Sequence, residues 1–375
     1  MNSRNSFVAA AFSLTALSYG LARFAYGLLL PQIREDLSIT LTVAGFIGGS
    51  AFAAYCCGIS FALLTSGKIN PRLIALLAGF SATLGMLLIG LSASAWVLGA
   101  GIVLAGLSTG LTSPPLAFAV SRQFDHQNQP KANGTINAGT AAGIVLSGIA
   151  AWLAVGSWRE IYLVFALLGA AVTLWLWFTF PRHLNAAAGS HFSLSLLKRP
   201  GLVTLCLSAF LMGISSAAIW TFSADILRDN AGFTDTSVAL VWVALGFAGL
   251  AGALTGMLTN RFGPRPVHLF SLLAMAAATA GLVMASFSAL YGFLAVSLFG
   301  AAYIVSTGVY LIQGTGLLSD RADLGLGIPF LAVAIGQAVG NPLFGALLAS
   351  IGWMTALFIF AFVACVAAFI APRQR

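Results

Sequence analysis

The chain has 375 residues, of which 59% are hydrophobic and 7% are charged, and its formal net charge is +8. A water-soluble domain carries about 25% charged residues, so this composition excludes a soluble protein and indicates an integral membrane protein. The four cysteines all lie in apolar stretches without metal-ligand spacing, which excludes a disulfide framework and a zinc site.

Apolar stretches mark the segments that can cross a bilayer, because a spanning helix needs about 20 apolar residues. In chain order they predict six helices near 7–31, 41–65, 72–93, 96–120, 134–154 and 159–180. Six more follow near 202–226, 236–259, 266–287, 290–314, 327–350 and 352–371. The first segment is too long for a signal-peptide core and lacks a clear cleavage site. The prediction is an all-α membrane protein with 12 transmembrane helices.

Basic residues are distributed unequally over the predicted loops. If the N-terminus lies inside, 13 of the 17 Lys and Arg residues fall on the inner side, three fall outside, and Arg23 falls within the membrane. Cytoplasmic loops carry the excess of Lys and Arg. Both termini are therefore predicted to be cytoplasmic, in the inner membrane of a bacterium. The same distribution explains the net charge without a nucleic-acid partner.

The second half of the sequence repeats the first at an offset of 193 to 197 residues. Arg72 aligns with Arg265 at the smallest offset. Such a parallel repeat predicts two six-helix bundles, residues 1–180 and 201–375, joined by a polar cytoplasmic linker at 181–200. The aligned glycines are Gly139, Gly143 and Gly148 in helix 5 and Gly336, Gly340 and Gly345 in helix 11.

The loop between predicted helices 8 and 9 reads GMLTNRFGPRP, from Gly256 to Pro266. It resembles the G-x-L-x-D-R-x-G-R-R signature of the major facilitator superfamily, which the chain resembles over essentially its whole length. The resemblance implies two pseudo-symmetric bundles, transport by alternating access and a cytoplasmic gate at these loops. It also implies that the small residues of helices 5 and 11 lie at seams between the halves. The implied gate residues are Gly256, Asn260, Arg261, Gly263 and Arg265, with Lys68 and Arg72 in the first-half copy.

Both copies of the signature depart from the family at the acidic position, where Gly67 and Asn260 stand. In the family, the aspartate at this position joins a charge network that holds the gate shut. Helix 4 also lacks the early arginine of many proton-coupled members, and helix 5 resembles the antiporter motif without its proline. An asparagine can still cap a helix or form a hydrogen bond at this place.

One arginine, Arg23, lies inside predicted helix 1, where the spacing places it on one face with Tyr19 and Tyr26. An arginine at a helix centre costs about 2.5–3.5 kcal/mol on insertion scales, and an off-centre position costs less. Water, an internal acceptor or a ligand must offset this cost. We therefore expect Arg23 to face a hydrated lumen between the halves and to contact an anion. The alternative is a structural arginine that extends outwards or bonds helix-end carbonyls.

No acidic side chain lies near the middle of a predicted helix. Asp225 is the nearest exception, at the outer end of helix 7, where it either caps that end or binds a proton. The sequence contains no P-loop and no catalytic constellation, so we expect neither an enzyme nor a cofactor or metal. The histidines fall in or beside predicted cytoplasmic loops: His126, His183, His191 and His268.

Polar and aromatic side chains recur in predicted helices 5, 7, 10 and 11. In bilayers such side chains often only bond between helices, contributing about 0.6 kcal/mol each, and this is the alternative to ligand contact. As a group they predict an aromatic and polar pocket, which suits a small organic molecule better than an inorganic ion. The candidates besides the helix 1 face are Asn137, Trp220, Tyr303, Tyr310, Gln313, Gln337 and Asn341.

These observations predict a secondary or facilitative transporter of a small organic anion or zwitterion. Exchange or facilitated movement is favoured, since no carboxylate lies near a helix middle. One alternative is proton-coupled efflux of amphiphilic compounds with Asp225 as the titrating group. Another is a non-transporting membrane sensor. We expect a monomer whose partners are its substrate and the lipid bilayer.

Overall fold

The computed structural model describes residues 3–65, 68–125, 127–181, 199–318 and 322–371. Within these ranges the chain is built from helices joined by short connections, and 11 of the helices are long and apolar enough to cross a membrane. A further apolar helix, Trp353–Phe369, has 17 residues. The predicted all-α membrane fold is confirmed.

The helices are numbered α1 to α12 in chain order, one for each predicted span. The first six are α1 (Ser3–Thr15, Ala16–Phe24 and Ala25–Leu37), α2 (Leu41–Leu64), α3 (Pro71–Gly90), α4 (Ala95–Gln123), α5 (Gln129–Leu153) and α6 (Trp158–Thr179). The second six are α7 (Leu202–Asp229), α8 (Asp235–Ala248, Gly249–Leu254 and Thr255–Phe262), α9 (Pro264–Gly281 and Leu282–Ser286), α10 (Ala289–Leu317), α11 (Ala322–Ile351) and α12 (Trp353–Phe369).

Short polar residues, proline and glycine set the helix ends. Asn70 accepts a hydrogen bond from the Arg72 backbone N–H at 2.9 Å, and Pro71 occupies the first position of α3. Both features are typical of helix N-termini, where the first N–H groups need acceptors. Gly263 separates α8 from α9 with a φ of +85°, a conformation that favours glycine. The glycine of the signature thus has a backbone role.

The chain divides into two compact units. One comprises Met1–Leu37 and Ser50–Phe192, and the other comprises Ser38–Gly49 and Ser193–Arg375. They are called the N unit and the C unit below. The beginning of α2 therefore belongs to the C unit, where a Cβ on Gly45 would lie 2.6 Å from the Asn341 carbonyl oxygen. Nearly all of the predicted linker at 181–200 lies outside the described residues.

The repeated glycines make equivalent helix contacts in the two units. In the N unit, glycines of α5 lie against the backbone of α1, and in the C unit, glycines of α11 lie against the backbone of α7. Because α1 and α7 occupy the same place in the repeat, the duplication extends from sequence to packing. These contacts lie inside each unit, and the expectation that small residues of helices 5 and 11 line seams between the halves stays a prediction. The pairs are Gly139 with Phe12, Gly143 with Ala16, Gly336 with Phe210, and Gly340 with Ile214.

Candidate substrate-binding groups

The hydrogen bonding of α1 becomes π-helical over Ala16–Phe24, the segment that contains Arg23. π-helical turns are rare and occur frequently at functional sites. Within this segment, Gly20 approaches Gly143 of α5 so closely that a Cβ at Gly20 would overlap the α5 backbone. The sequence predicted a regular helix here. The structure instead shows a widened helix pressed against a glycine-lined neighbour.

Arg23 is enclosed by aromatic rings of the N unit. Its guanidinium carbon lies 4.5 Å from the ring centre of Phe24 and 5.4 Å from that of Tyr19. Phe52 and Tyr55, on α2, contribute ring centres at 4.6 Å and 5.2 Å. A guanidinium close to an aromatic face gains about 0.5–2 kcal/mol, so four rings can offset much of the insertion cost. Arg23 and these four residues are called the arginine box.

The hydrogen-bonding capacity of Arg23 is only partly used. The side chain is 8% exposed, and its Nε and Nη1 have no acceptor among the described residues. A buried donor without an acceptor costs about 1–3 kcal/mol, and a charged donor costs more. The aromatic rings stabilise the positive charge without supplying a strong acceptor. The guanidinium can therefore still donate hydrogen bonds to a carboxylate or phosphate oxygen.

Hydroxyl contacts connect the π-helical segment to α4. The Tyr19 hydroxyl lies 2.9 Å from Oγ of Ser113, and Thr112 donates to Oγ of Ser18 at 3.0 Å. These contacts hold the Tyr19 ring in place beside Arg23. Tyr26, predicted to share a face with Arg23, follows the π-helical segment and is 3% exposed.

A second group of predicted residues comes together in the C unit. The Trp220 ring meets the Tyr303 ring edge-to-face at 5.1 Å. Gln337 Nε2 donates to the Tyr303 hydroxyl at 3.2 Å and to Oγ of Ser216 at 3.0 Å. All four side chains are buried. They form an aromatic and polar cluster that joins α7, α10 and α11.

The other predicted binding residues are more scattered. Asn341 donates Nδ2 to the Gln337 carbonyl at 2.7 Å, and its Oδ1 has no partner within the described ranges. Gln313 is 6% exposed, and neither atom of its amide is paired within the part of the chain that the structure describes. Asn137 is exposed on α5. Tyr310 belongs to a separate cluster, considered below.

Asp225 lies within a helix and not at its end. The helix α7 continues to Asp229, one turn beyond the predicted end near residue 226. The Asp225 side chain is 2% exposed. The expectation of a helix-capping or solvated carboxylate was wrong, because the additional turn keeps Asp225 inside the bundle.

The signature residues lie at the junction of α8 and α9. The side chains of Asn260, Arg261 and Arg265 are exposed. Gly256 faces open space, since a Cβ there would meet nothing within 4 Å. The loop thus presents a neutral amide and two cations at the positions where the family resemblance implies a gate.

The first-half copy of the signature is used differently. Arg72 donates Nη2 to the Trp177 carbonyl oxygen at 2.5 Å, and its guanidinium carbon lies 4.7 Å from the Trp177 ring centre. Arg72 therefore ties the beginning of α3 to the last turn of α6 inside the N unit. Lys68, in the preceding turn, is exposed.

The residues of α2 in the arginine box were missed at the sequence level. Phe52 and Tyr55 are three positions apart in an apolar helix, and this spacing is typical of a buried or lipid-facing stripe. The sequence offered one signal, which was the free-energy cost of a charged Arg23 inside an apolar helix. This cost implied that some other group lies close to the guanidinium. Which face of α2 turns towards α1 depends on tertiary packing.

Known protein sequences match this chain over most of its length. The profile of the Major Facilitator Superfamily matches residues 12–315 and 205–373. "Transcription regulatory protein OpdE" of Pseudomonas aeruginosa is 27% identical over 91% of this chain and 87% of its own length. "Purine ribonucleoside efflux pump NepI" of Shigella sonnei is 25% identical over 86% of this chain and 83% of its own.

Two solved transporter structures share this fold. The nucleoside transporter NupG superposes with a TM-score of 0.79 at 15% identity, covering 98% of both chains. A D-xylose-proton symporter superposes with a TM-score of 0.79 at 14% identity, covering 97% of this chain and 96% of its own. At these identities the likeness concerns the fold alone.

Proposed function

Because the chain belongs to the major facilitator superfamily, we propose that it is a secondary transporter that carries a small organic molecule by alternating access. We place it in the inner membrane of a bacterium with both termini in the cytoplasm, following the distribution of basic residues. The substrate class proposed is a small organic anion or zwitterion.

The observation that carries this proposal is the state of Arg23. A permanently charged side chain is 8% exposed, and two of its nitrogen atoms have no acceptor among the described residues. Ionisable residues within membrane segments mark substrate pathways by default. A carboxylate or phosphate would supply the missing acceptors, and charge-assisted hydrogen bonds are about twice as strong as neutral ones.

The aromatic rings of the arginine box would serve two purposes in this mechanism. They stabilise the guanidinium while no substrate is bound, so that the empty transporter remains folded and can return across the membrane. They also line the site with apolar surface that contacts the organic part of a substrate. A small inorganic anion would gain only the first kind of contact.

The C unit would contribute neutral recognition. In the cluster of Trp220, Tyr303 and Gln337, the rings offer apolar faces and the Gln337 amide offers an acceptor oxygen. We propose that these groups recognise the uncharged part of the substrate, together with Gln313 and Asn341 of the C unit and Tyr26 and Asn137 of the N unit. Tyr310 has a different role, which is proposed below.

The gate proposal follows the family resemblance, with one change. The exposed loop at Asn260, Arg261 and Arg265 would gate the cytoplasmic side without the usual aspartate. An amide forms neutral hydrogen bonds, which are about half as strong as charge-assisted ones. In the first-half copy, Arg72 is bound to Trp177, which leaves Lys68 as the exposed cation of that copy.

The test is exchange in proteoliposomes loaded with one of four labelled probes: glutamate, succinate, benzoate or inosine. We expect exchange of at least one charged probe, loss of that exchange in Arg23→Gln and partial activity in Arg23→Lys, because lysine keeps the charge without the planar fork. Arg159→Gln is the matched control, since Arg159 is paired with Asp36 elsewhere in the N unit. Equal exchange by Arg23→Gln and the wild type would contradict the substrate class.

A second candidate function is proton-coupled efflux of neutral amphiphilic compounds such as purine nucleosides. One relative, the purine ribonucleoside efflux pump NepI of Shigella sonnei, favours it. The burial of Asp225 also favours it, since an internal carboxylate can carry a proton. Under this alternative, inosine is exported along a pH gradient, Asp225→Asn abolishes export, and Arg23→Gln retains it.

A regulatory role is the third possibility, because another relative is named a transcription regulatory protein. A non-transporting sensor would be stabilised by its ligand without exchanging it. A thermal-shift response to a probe, together with zero exchange of that probe in proteoliposomes, would favour the sensor over both transport mechanisms.

A further inference from the structure

One histidine is buried inside the C unit. His268 is the fifth residue of the segment Pro264–Gly281 of α9 and is 0% exposed. The expectation that all four histidines lie in or beside cytoplasmic loops did not anticipate this burial. The sequence placed His268 near the start of predicted helix 9, directly after the signature loop, where exposure to water was expected.

The imidazole of His268 contacts a network of hydroxyl groups. Its Nε2 lies 3.4 Å from Oγ of Ser208 on α7, and its ring meets the Tyr310 ring of α10 edge-to-face at 5.5 Å. Ser208 Oγ lies 2.8 Å from the Tyr310 hydroxyl and 2.8 Å from the Ala367 carbonyl oxygen of α12. Four helices of the C unit therefore meet at this ring.

The imidazole lies at the C-terminal end of α12. The Ala367 carbonyl, in the last turn of that helix, accepts a hydrogen bond from Ser208, whose Oγ lies 3.4 Å from Nε2 of His268. The C-terminal carbonyls of a helix carry partial negative charge and stabilise a nearby cation. Nδ1 of His268 has no hydrogen-bond partner among the described residues. The site therefore contains a hydroxyl oxygen at Nε2 that can accept from an imidazolium, and an unpaired Nδ1 that can take up the proton.

Few other ionisable groups lie near this ring among the described residues of the surrounding helices. Tyr310 is the ionisable side chain in ring contact with His268. Cys206 lies two residues before Ser208 on α7, and Cys365 lies two residues before Ala367 on α12. Because two residues turn a helix by about 200°, these cysteines lie on other helix faces than the residues that reach the site. Arg261 of α8 and Arg265 of α9 are exposed. The charge of an imidazolium here would thus be balanced by carbonyl and hydroxyl oxygens.

We propose that His268 is a proton-binding site of the C unit, in which Ser208, Tyr310 and the C-terminal carbonyls of α12 hold the protonated ring. Proton uptake converts the unpaired Nδ1 into a donor, so that both ring nitrogens carry a hydrogen. The ring thereby links the protonation state of the unit to the packing of α7, α9, α10 and α12.

The first test measures the proton directly and needs no substrate. The full chain carrying His126→Gln, His183→Gln and His191→Gln keeps His268 as its sole histidine. With ¹⁵N-labelled histidine in lipid nanodiscs, we expect the ring nitrogens to change from the neutral pattern to the imidazolium pattern between pH 8 and pH 4, a range that extends below the usual one because burial disfavours the charged ring. A ring that keeps one neutral tautomer across that range would overturn the proposal.

Two serine variants separate the site from general packing. Ser208→Ala removes the hydroxyl at Nε2, and we expect the proton affinity of His268 to fall about threefold to tenfold, as for a weakened hydrogen bond to a charged group. Ser215→Ala is the matched control, because Ser215 is an equally buried α7 hydroxyl that donates to the Phe360 carbonyl of α12 at 2.7 Å. Equal effects of the two variants would assign His268 to packing and overturn the proposal.

The second test concerns transport and rests on the proposed function. Exchange and pH-gradient-driven accumulation of glutamate, succinate, benzoate and inosine are measured with the wild type and with His268→Gln. If His268 couples a proton to transport, a pH gradient stimulates transport by the wild type, and we expect His268→Gln to retain exchange and to lose this stimulation. Full stimulation in His268→Gln would overturn a coupling role. Absence of exchange in the wild type would contradict the proposed function, whereas the NMR titration would still decide the proton site.

Discussion

At the scale of single residues, the structure answers how a buried guanidinium is tolerated in an apolar helix. The guanidinium of Arg23 is surrounded by four aromatic rings from α1 and α2, at 4.5 to 5.4 Å. Rings stabilise a cation without neutralising it, whereas a carboxylate would form an ion pair that a substrate must break. An aromatic environment therefore preserves the ability of Arg23 to bind an anion.

A double-mutant cycle tests the energy of this environment. Arg23→Gln and Phe52→Leu are made singly and together, and unfolding in detergent is followed by urea titration. We expect a coupling free energy of about 0.5–2 kcal/mol, the range of a cation–π contact. Phe7→Leu is the control partner for Arg23, because Phe7 is a buried α1 ring that packs on Phe180. Additive effects for Arg23 and Phe52 would show that the rings only fill space.

The ion pair between Arg159 and Asp36 in the N unit is expected to contribute little to the free energy of unfolding. Arg159 pairs with Asp36 and donates Nη2 to the Ser92 carbonyl at 2.9 Å, but the two charged side chains are 33% and 42% exposed. Exposed pairs contribute about 0–1 kcal/mol and are screened by salt. Asp36→Asn should therefore lower the free energy of unfolding by less than about 1 kcal/mol. The difference should shrink between low and high salt, and a larger, salt-independent loss would contradict this assignment.

At the scale of helices, close contact between glycines explains how α1 accommodates a π-helical segment. Gly20 lies against Gly143 of α5, and Gly143 lies against the backbone of Ala16. Without side chains at these positions, the two backbones approach closely enough for dispersion forces to hold them. The same arrangement of α11 on α7 in the C unit indicates that this contact is part of the duplicated design.

Alanine substitutions of two glycines in α5 should separate the effect of close helix contact on stability from the effect of helix propensity. At Gly143 a Cβ would overlap the Ala16 carbonyl, whereas at Gly134, on the same helix, it would meet nothing within 4 Å. Gly143→Ala should lower the thermal unfolding temperature and reduce exchange. Gly134→Ala should be neutral or stabilise the protein by up to about 1 kcal/mol through helix propensity. Equal effects in a thermal-shift measurement would refute the contact argument.

At the scale of the whole molecule, the positive charges determine an orientation that reporter fusions can test. Thirteen basic residues on one predicted side against three on the other should hold both termini in the cytoplasm. A green fluorescent protein fused to the C-terminus should fluoresce, and alkaline phosphatase there should be inactive. The matched fusion after Ser94, between α3 and α4, should give the reverse result. Active phosphatase at the C-terminus would contradict the orientation.

Much of the fold was predictable from the sequence because a bilayer imposes simple rules. Apolar length predicted the spanning helices, whereas the partners of the repeated glycines in α5 and α11 did not follow from the repeat. The candidate site was less predictable. Arg23 could be singled out because a charged side chain is costly in hydrocarbon. The sequence did not predict the π-helical segment, the turn beyond Asp225 or the burial of His268. Each of these depends on which helix faces are in contact.

The sequence by itself determined that this protein is a helical membrane protein of a duplicated transporter family, because hydrophobic length, charge distribution and internal repetition are properties of the chain. Only the tertiary structure decided what surrounds each polar group. Phe52 and Tyr55 reach Arg23, and Ser208 and Tyr310 reach His268, across helices that are distant in sequence. The energy of a buried charge depends on neighbours within a few ångströms, and the packing of helices alone brings those neighbours together.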